Sequence, residues 1–213
     1  MQLWQESLEL KDKIGNVKGK AATLANMAWA AGRQGDAARE LELNLAAATA
    51  LAEVRAWLDL ITVLSNLGAG HDPNAVRYLA QAVWLLLRAT APVDASVSTT
   101  AVLLEKVGPA AEAGPLIAAA AIYFVATRGE QHPQRQKLQQ LAMGRMAACA
   151  QARNVPEEEL QQWLTTEGLL HPGKWLPKLD AALVQLGGGD EQWLFDRSRL
   201  HELATTDGGD TPS

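Results

Sequence analysis

The sequence predicts an all-α protein, from its composition and from the spacing of its apolar residues. It contains 38 Ala and 32 Leu against 12 Val and 4 Ile, and aromatic residues make up only 5% of the chain. Ala and Leu lose little conformational freedom in a helix, whereas a sheet needs β-branched and aromatic residues to fill its pleated faces. Apolar residues also recur at helical spacing between Gly, Pro, Asn and Asp breaks.

The breaks in the first half of the chain define five predicted helices. Asp36 follows Gly35 and is expected to cap the third helix, because a side-chain carboxylate can accept a free backbone N–H there. Asp72-Pro73 is a start signal for the fifth helix, since proline is favoured in the first turn. The five predicted helices cover residues 3–11, 17–33, 37–52, 55–67 and 74–90.

The second half continues in the same way around one strongly apolar segment. Residues 115–126 are almost wholly apolar, but this run is shorter than the roughly 20 residues needed to span a bilayer, so we expect a buried central helix. A sixth predicted helix ends at residue 107. The remaining predicted helices cover 134–153, 156–167, 176–186 and 190–203. We therefore expect a helical repeat array over 1–155, C-terminal capping helices over 156–204 and a disordered tail over 205–213.

Charge and cysteine content restrict the class of function. The net charge is −5 and no dense basic stripe is present, which argues against nucleic-acid binding. Cys149 is the sole cysteine, so the chain can form no internal disulfide, and its Ala-rich surroundings predict a buried core residue. The N-terminus has neither a basic nor an apolar signal region, so we expect a cytoplasmic protein that is not associated with a membrane.

The sequence indicates no catalytic residue, metal site or cofactor. Residues 15–20 resemble a phosphate-binding loop, but only three residues separate Gly15 from Gly19, and Ala21 stands where Ser or Thr is required. The four histidines are far apart, and no pair has the spacing of zinc ligands.

Two short blocks, 40 residues apart, suggest a repeat. The matching positions are Leu24, Asn26, Met27, Ala28, Gln34, Gly35, Asp36 and Ala47 in the first block and Leu64, Asn66, Leu67 and Gly68 in the second. This pattern resembles the tetratricopeptide repeat (TPR) family of the long-linker bacterial type. Ala31 and Glu40 depart from it, since the family usually has Tyr and Ala there. The resemblance covers residues 1–90 and is clearest over 17–52.

The resemblance implies an α-solenoid with a C-terminal helical cap, whose function is to bind another protein. In this family the first helix of each pair lines a concave groove, where Asn at the positions of Asn26 and Asn66 holds the backbone of a peptide.

Helical spacing adds residues to this candidate site. It places Trp29 and Arg33 on the face of Asn26, and Thr62, Asp59 and Arg55 on the face of Asn66. In the alternative interpretation, both Asn side chains bond to neighbouring helices and Trp29 belongs to the core.

Other functions and partners stay open at this stage. The chain could be a regulatory or sensory module of a larger signalling protein, or an all-α enzyme with an unrecognised pocket. The first helix resembles the second half of a repeat unit that lacks its partner helix. Trp4 and Leu8 are therefore partly exposed, or pack against another chain as in a homodimer, or contact a preceding segment of a longer protein.

Overall fold

The described part of the chain is built from helices, as the composition predicts. A computed structural model describes residues 2–13, 15–70, 72–189 and 191–198, and it has no strand within these ranges. The α-helices are α1 (Gln2–Lys13), α2 (Val17–Arg33), α3 (Ala37–Glu53), α4 (Trp57–Ala69), α5 (Ala75–Leu86), α6 (Val93–Val107), α7 (Gly114–Arg128), α8 (Arg135–Ala152), α9 (Leu160–Thr166) and α10 (Pro172–Leu186). A 3₁₀ turn at Glu157–Glu159 precedes α9.

Several predicted boundaries are wrong, and each error has a local cause. The helix predicted at 55–67 begins only at Trp57, because Arg55 adopts a left-handed backbone with φ 57°. The helix predicted at 176–186 begins at Pro172, where proline occupies the first turn. Residues 191–197 form no helix, contrary to the helix predicted over 190–203; Asp190 and residues 199–203 lie outside the described residues, as does the predicted tail.

Short connections bring successive helices into contact. Each helix from α1 to α7 packs against the next one, and α4 and α8 also contact α6. Ala28 in α2 and Ala47 in α3 are fully buried where this pair of helices packs together, since small side chains permit a close approach. The carboxylate of Asp36 accepts a hydrogen bond from the backbone N–H of Arg39 at 3.0 Å, which confirms the predicted cap of α3.

Basic side chains connect helix ends at a recurring interval along the sequence. Lys106 Nζ donates to the carbonyl oxygen of Gly70 at 2.9 Å, 36 residues away. Arg128 Nη2 donates to the carbonyl oxygen of Leu86 at 2.7 Å, and Arg153 Nη2 donates to the carbonyl oxygen of Ala111 at 2.8 Å. Each of these two hydrogen bonds spans 42 residues of sequence. Gly70 and Leu86 lie at the C-terminal ends of α4 and α5, where carbonyl groups lack intrahelical partners, so a cation satisfies them and complements the helix dipole. Ala111 lies in the connection between α6 and α7.

The last helix lies across α5 and α7. This placement explains why α5 is buried on every side over Tyr78, Leu79 and residues 80–86, and why the apolar helix α7 is buried as predicted. Trp175 of α10 is 2% exposed, and its ring meets that of Tyr123 edge to face at 5.8 Å between centroids. The C-terminal helix therefore covers two central helices, whereas the expected cap would lie at the end of the series.

Candidate functional site on α2 and α4

An exposed stripe runs along α2 on the side opposite its packed face. Asn26, Trp29 and Arg33 lie on this stripe, and the Trp29 side chain is 65% exposed. The Arg33 guanidinium carbon lies 5.1 Å from the centre of the Trp29 ring, within the range of a cation–π contact. The core interpretation of Trp29 is therefore wrong, because the apolar contacts of α2 are made by Leu24 and Met27 instead.

A second exposed stripe on α4 carries Asp59, Thr62 and Asn66. The Thr62 hydroxyl donates to the carbonyl oxygen of Leu58 at 3.1 Å, so its oxygen remains able to accept a hydrogen bond from a ligand. All three side chains project from the outer side of the helix, as their sequence spacing predicts.

An ion pair connects the two stripes near the beginnings of α2 and α4. Lys18 Nζ lies 3.1 Å from Asp59 Oδ2, and both side chains are at least half exposed. Such a pair contributes no more than about 1 kcal/mol to stability, but it shows that the two stripes come close together at this point. Lys18 is not among the residues predicted from the sequence, because no local pattern shows that Asp59, on another helix, lies next to it.

Arg55 does not take the expected place on the face of α4. It precedes the helix in the turn that follows α3, with the left-handed backbone noted above. The helical spacing that relates Arg55 to Asn66 does not apply, because α4 begins only at Trp57. Arg55 is exposed next to the stripe but is not part of it.

Asn66 also borders a cavity of about 360 Å³ between the start of α3 and the end of α4. Its lining includes Glu40, Asn44 and Asp72 in addition to Asn66, but not Asn26. Two carboxylates and two amides at one cavity suit a ligand that donates hydrogen bonds, such as the N–H groups of a peptide. Asn44 is only 6% exposed, and its polar side chain within the apolar run of α3 is the sequence signal that could have identified it.

The structure therefore places Asn26 and Asn66 in different surroundings, although the repeat alignment treats them as equivalent. Asn26 lies on an open helix surface beside an exposed tryptophan. Asn66 lies at the rim of a cavity that Glu40, Asn44 and Asp72 also line.

The N-terminal face is partly covered by the chain itself. Trp4 and Leu8 are half-buried and pack against the core, whereas Leu10 is 61% exposed. Dimer formation through Trp4 and Leu8 remains a prediction, and only the outer halves of these side chains are available for it.

Burial accounts for the shifted pKa values in the described chain. It raises the pKa of Cys149 to about 11, with a small opposing effect from Arg153. It also raises the pKa of Tyr78 and lowers that of Arg128. All three residues lie away from the stripes on α2 and α4.

The described residues include neither a cluster of metal ligands nor a helix suited to crossing a membrane. In the ranges that the structure describes, no three His, Cys, Asp or Glu side chains are grouped so that they could hold a metal ion. Among the helices described, none has both the length and the apolar character needed to cross a membrane.

Comparison of the chain with protein-family models, with curated proteins and with solved structures found no match in any of the three.

Proposed function

We propose that this protein is a helical-repeat interaction module that binds a segment of another protein along α2 and α4, without catalysis. The observation that carries the proposal is the exposed Trp29 side chain, with Arg33 stacked on it and Asn26 beside it. Tryptophan and arginine are enriched among the residues that dominate binding energy at protein interfaces. An exposed tryptophan on the outer side of a packed helix favours a binding role.

The contacts between successive helices support the proposed architecture, an α-solenoid of TPR-like pairs, against whose central helices α5 and α7 the C-terminal helix α10 packs. Alternate helices α4, α6 and α8 are in contact, and bonds from basic side chains to backbone carbonyl groups recur after 36 and 42 residues. Such an interval is expected when each repeat is a helix pair stacked on the one before it. The single, buried Cys149 is compatible with the reducing cytoplasm that we propose for the protein.

The exposed groups indicate the chemistry of the bound segment. The Trp29 ring offers an apolar surface, and Arg33 next to it offers a cation for a carboxylate. Asn26 and Asn66 can each donate to and accept from peptide groups whatever the side chains of the ligand. We propose a peptide that presents an apolar residue next to an acidic one.

Selection of peptides from a displayed random library, followed by affinity measurements with purified protein, tests the proposal. The selected peptides should combine apolar and acidic residues, and Asn26→Ala with Asn66→Ala should weaken their binding by about tenfold or more. Because both side chains are exposed, the melting temperature should stay within a few degrees. The matched control is Gln161→Ala with Gln162→Ala, which removes two exposed amides from α9. If the Asn double variant bound the peptides with unchanged affinity, or lost only stability, the proposed binding of a peptide by Asn26 and Asn66 would be wrong.

A further inference from the structure

Gln81, in the middle of α5, binds the backbone that follows α10 through both the nitrogen and the oxygen of its side-chain amide. The residue is fully buried. Its Nε2 donates to the carbonyl oxygens of Gly187 at 3.1 Å and Gln192 at 3.2 Å, and its Oε1 accepts from the backbone N–H of Leu194 at 3.2 Å. All three partners are backbone groups, so Gln81 can hold a peptide chain independently of its side chains.

Aromatic side chains supply the selectivity that backbone contacts lack. The rings of Trp193 and Phe195 both lie against Trp84 of α5, with centroid distances of 5.2 and 6.0 Å. Phe195 also meets Trp57, at the start of α4, at 6.0 Å. Residues two positions apart thus direct their rings into one aromatic surface. Ring pairs of this kind stabilise the contact beyond the burial of their area.

The chain's own segment fills this surface imperfectly. The indole Nε1 atoms of Trp84 and Trp193 and the Nε of Arg77 are buried with no hydrogen-bond partner among the described residues. Each such unsatisfied donor makes the packed state less stable, because burial removes it from water without a replacement partner. A ligand that brings acceptors to Trp84 Nε1 and Arg77 Nε would be held better than residues 191–195 are, whereas the donor of Trp193 leaves with the segment itself.

The segment is also attached in a way that allows its release. It follows Gly188 and Gly189, whose φ angles of 102° and 71° lie in the region that glycine adopts readily. Residues 191–197 belong to no helix, so their departure would break no helical hydrogen bonds. We call residues 191–198 the strap.

We propose that Gln81, Trp84 and Trp57 form a second peptide-binding site, which accepts a non-helical partner segment with aromatic side chains two positions apart and which the strap occupies as an internal competitor. The site is separate from the stripes on α2 and α4, so it does not depend on the function proposed for them.

The test uses the full-length chain and a fluorescein-labelled synthetic peptide that corresponds to residues 188–198. The variant Trp193→Ala with Phe195→Ala releases the strap. It should bind the peptide about tenfold or more tightly than the unmodified protein, measured by fluorescence anisotropy. Adding Gln81→Ala to this variant should lower the affinity again by about tenfold, because the three backbone contacts are lost.

Two controls define the specificity. A peptide in which Trp193 and Phe195 are replaced by Ala should not bind. Gln151→Ala, which removes an exposed amide from α8, should leave binding unchanged. Equal binding of both peptides, no binding to a folded strap variant, or the formation of strap-exchanged dimers without peptide binding would overturn the proposal.

Hydrogen exchange of the unmodified protein provides a second measurement that does not require the double variant to fold. If the strap opens on its own, the amide of Leu194 should exchange at least about 100-fold faster than the amides of α5. Equal exchange rates would mean that the segment leaves only when the whole protein unfolds, and the internal-competitor proposal would then be wrong.

Discussion

The guanidinium of Arg128, the last residue of α7, donates a 2.7 Å hydrogen bond to the carbonyl oxygen of Leu86, the last residue of α5. Its carbon also lies 4.6 Å from the centre of the Phe124 ring. Burial lowers the pKa of Arg128 from its usual value. The contact joins two helix ends that are 42 residues apart, so it fixes how one helix pair lies on the next.

Removing this contact should destabilise the fold. Arg128→Ala leaves the carbonyl group of Leu86 without its charged partner, and hydrogen bonds to charged groups contribute about 1.5–3 kcal/mol. We expect a loss of that size in the free energy of unfolding, measured by urea denaturation. Arg135→Ala is the control, because Arg135 is exposed at the start of α8, where a cation opposes the helix dipole. Equal effects of the two substitutions would contradict the structural role of Arg128.

Two tryptophans should respond to replacement in opposite ways. Trp84 is 2% exposed, and Trp84→Ala should cost about 3–5 kcal/mol of stability as a large cavity forms. Trp29 is 65% exposed, so Trp29→Ala should change stability by less than about 0.5 kcal/mol. It should nevertheless abolish binding of the peptides selected on the unmodified protein. If Trp29→Ala lowered the melting temperature as much as Trp84→Ala does, Trp29 would have to be a core residue.

Two glycines on helices should also differ. A methyl group at Gly68 would overlap the side chain of Leu79, where α4 and α5 approach each other closely, whereas one at Gly144 would meet open space. Gly68→Ala should therefore destabilise the protein by about 1–3 kcal/mol through overpacking. Gly144→Ala should stabilise it by about 0.5–1 kcal/mol, because alanine is the better residue within a helix. Thermal unfolding should show a lower melting temperature for Gly68→Ala and a higher one for Gly144→Ala than for the unmodified protein.

The thiol of Cys149 should resist modification in the folded protein. Burial raises its pKa to about 11, above the ordinary value of about 8.5. At pH 8 we expect a disulfide reagent to react at least about 100-fold more slowly with the folded than with the urea-unfolded chain. The folded state binds the proton more tightly than the unfolded state, so this group's contribution to stability is present below about pH 8.5 and is lost as the pH rises through about 11. Rapid labelling of the folded chain would contradict this burial.

The sequence predicted correctly those features that depend only on residues close together in the chain. Asp36 caps α3 as predicted, since a cap needs only the residue and the N–H groups that follow it. The apolar run at 115–126 forms the buried helix α7 for an equally local reason, namely that none of its sides is polar enough to face water. Helical spacing also placed Asn26, Trp29 and Arg33 correctly on one face.

The residues that local rules misplaced are those whose surroundings come from distant parts of the chain. Arg55 was assigned to a helix face, but the way α3 meets α4 places it in a left-handed turn. Asn44 and Lys18 were missed because their partners, the Asn66 cavity and Asp59, come from another helix. Residues 191–197 were predicted to be helical because the pattern could not reveal the buried amide of Gln81 more than 100 residues earlier.

The sequence by itself therefore determined that this chain is made of helices, roughly where most of them begin and end, and which side of α2 faces outward. These properties depend on intrinsic propensities, caps and periodicity, which act within a few residues. Only the tertiary structure decided that α10 covers α5 and α7, that Asn66 borders a cavity, and that Trp193 and Phe195 lie on Trp84. Contacts between residues about a hundred positions apart depend on the complementary shapes and polar groups of whole surfaces, and no local pattern records these.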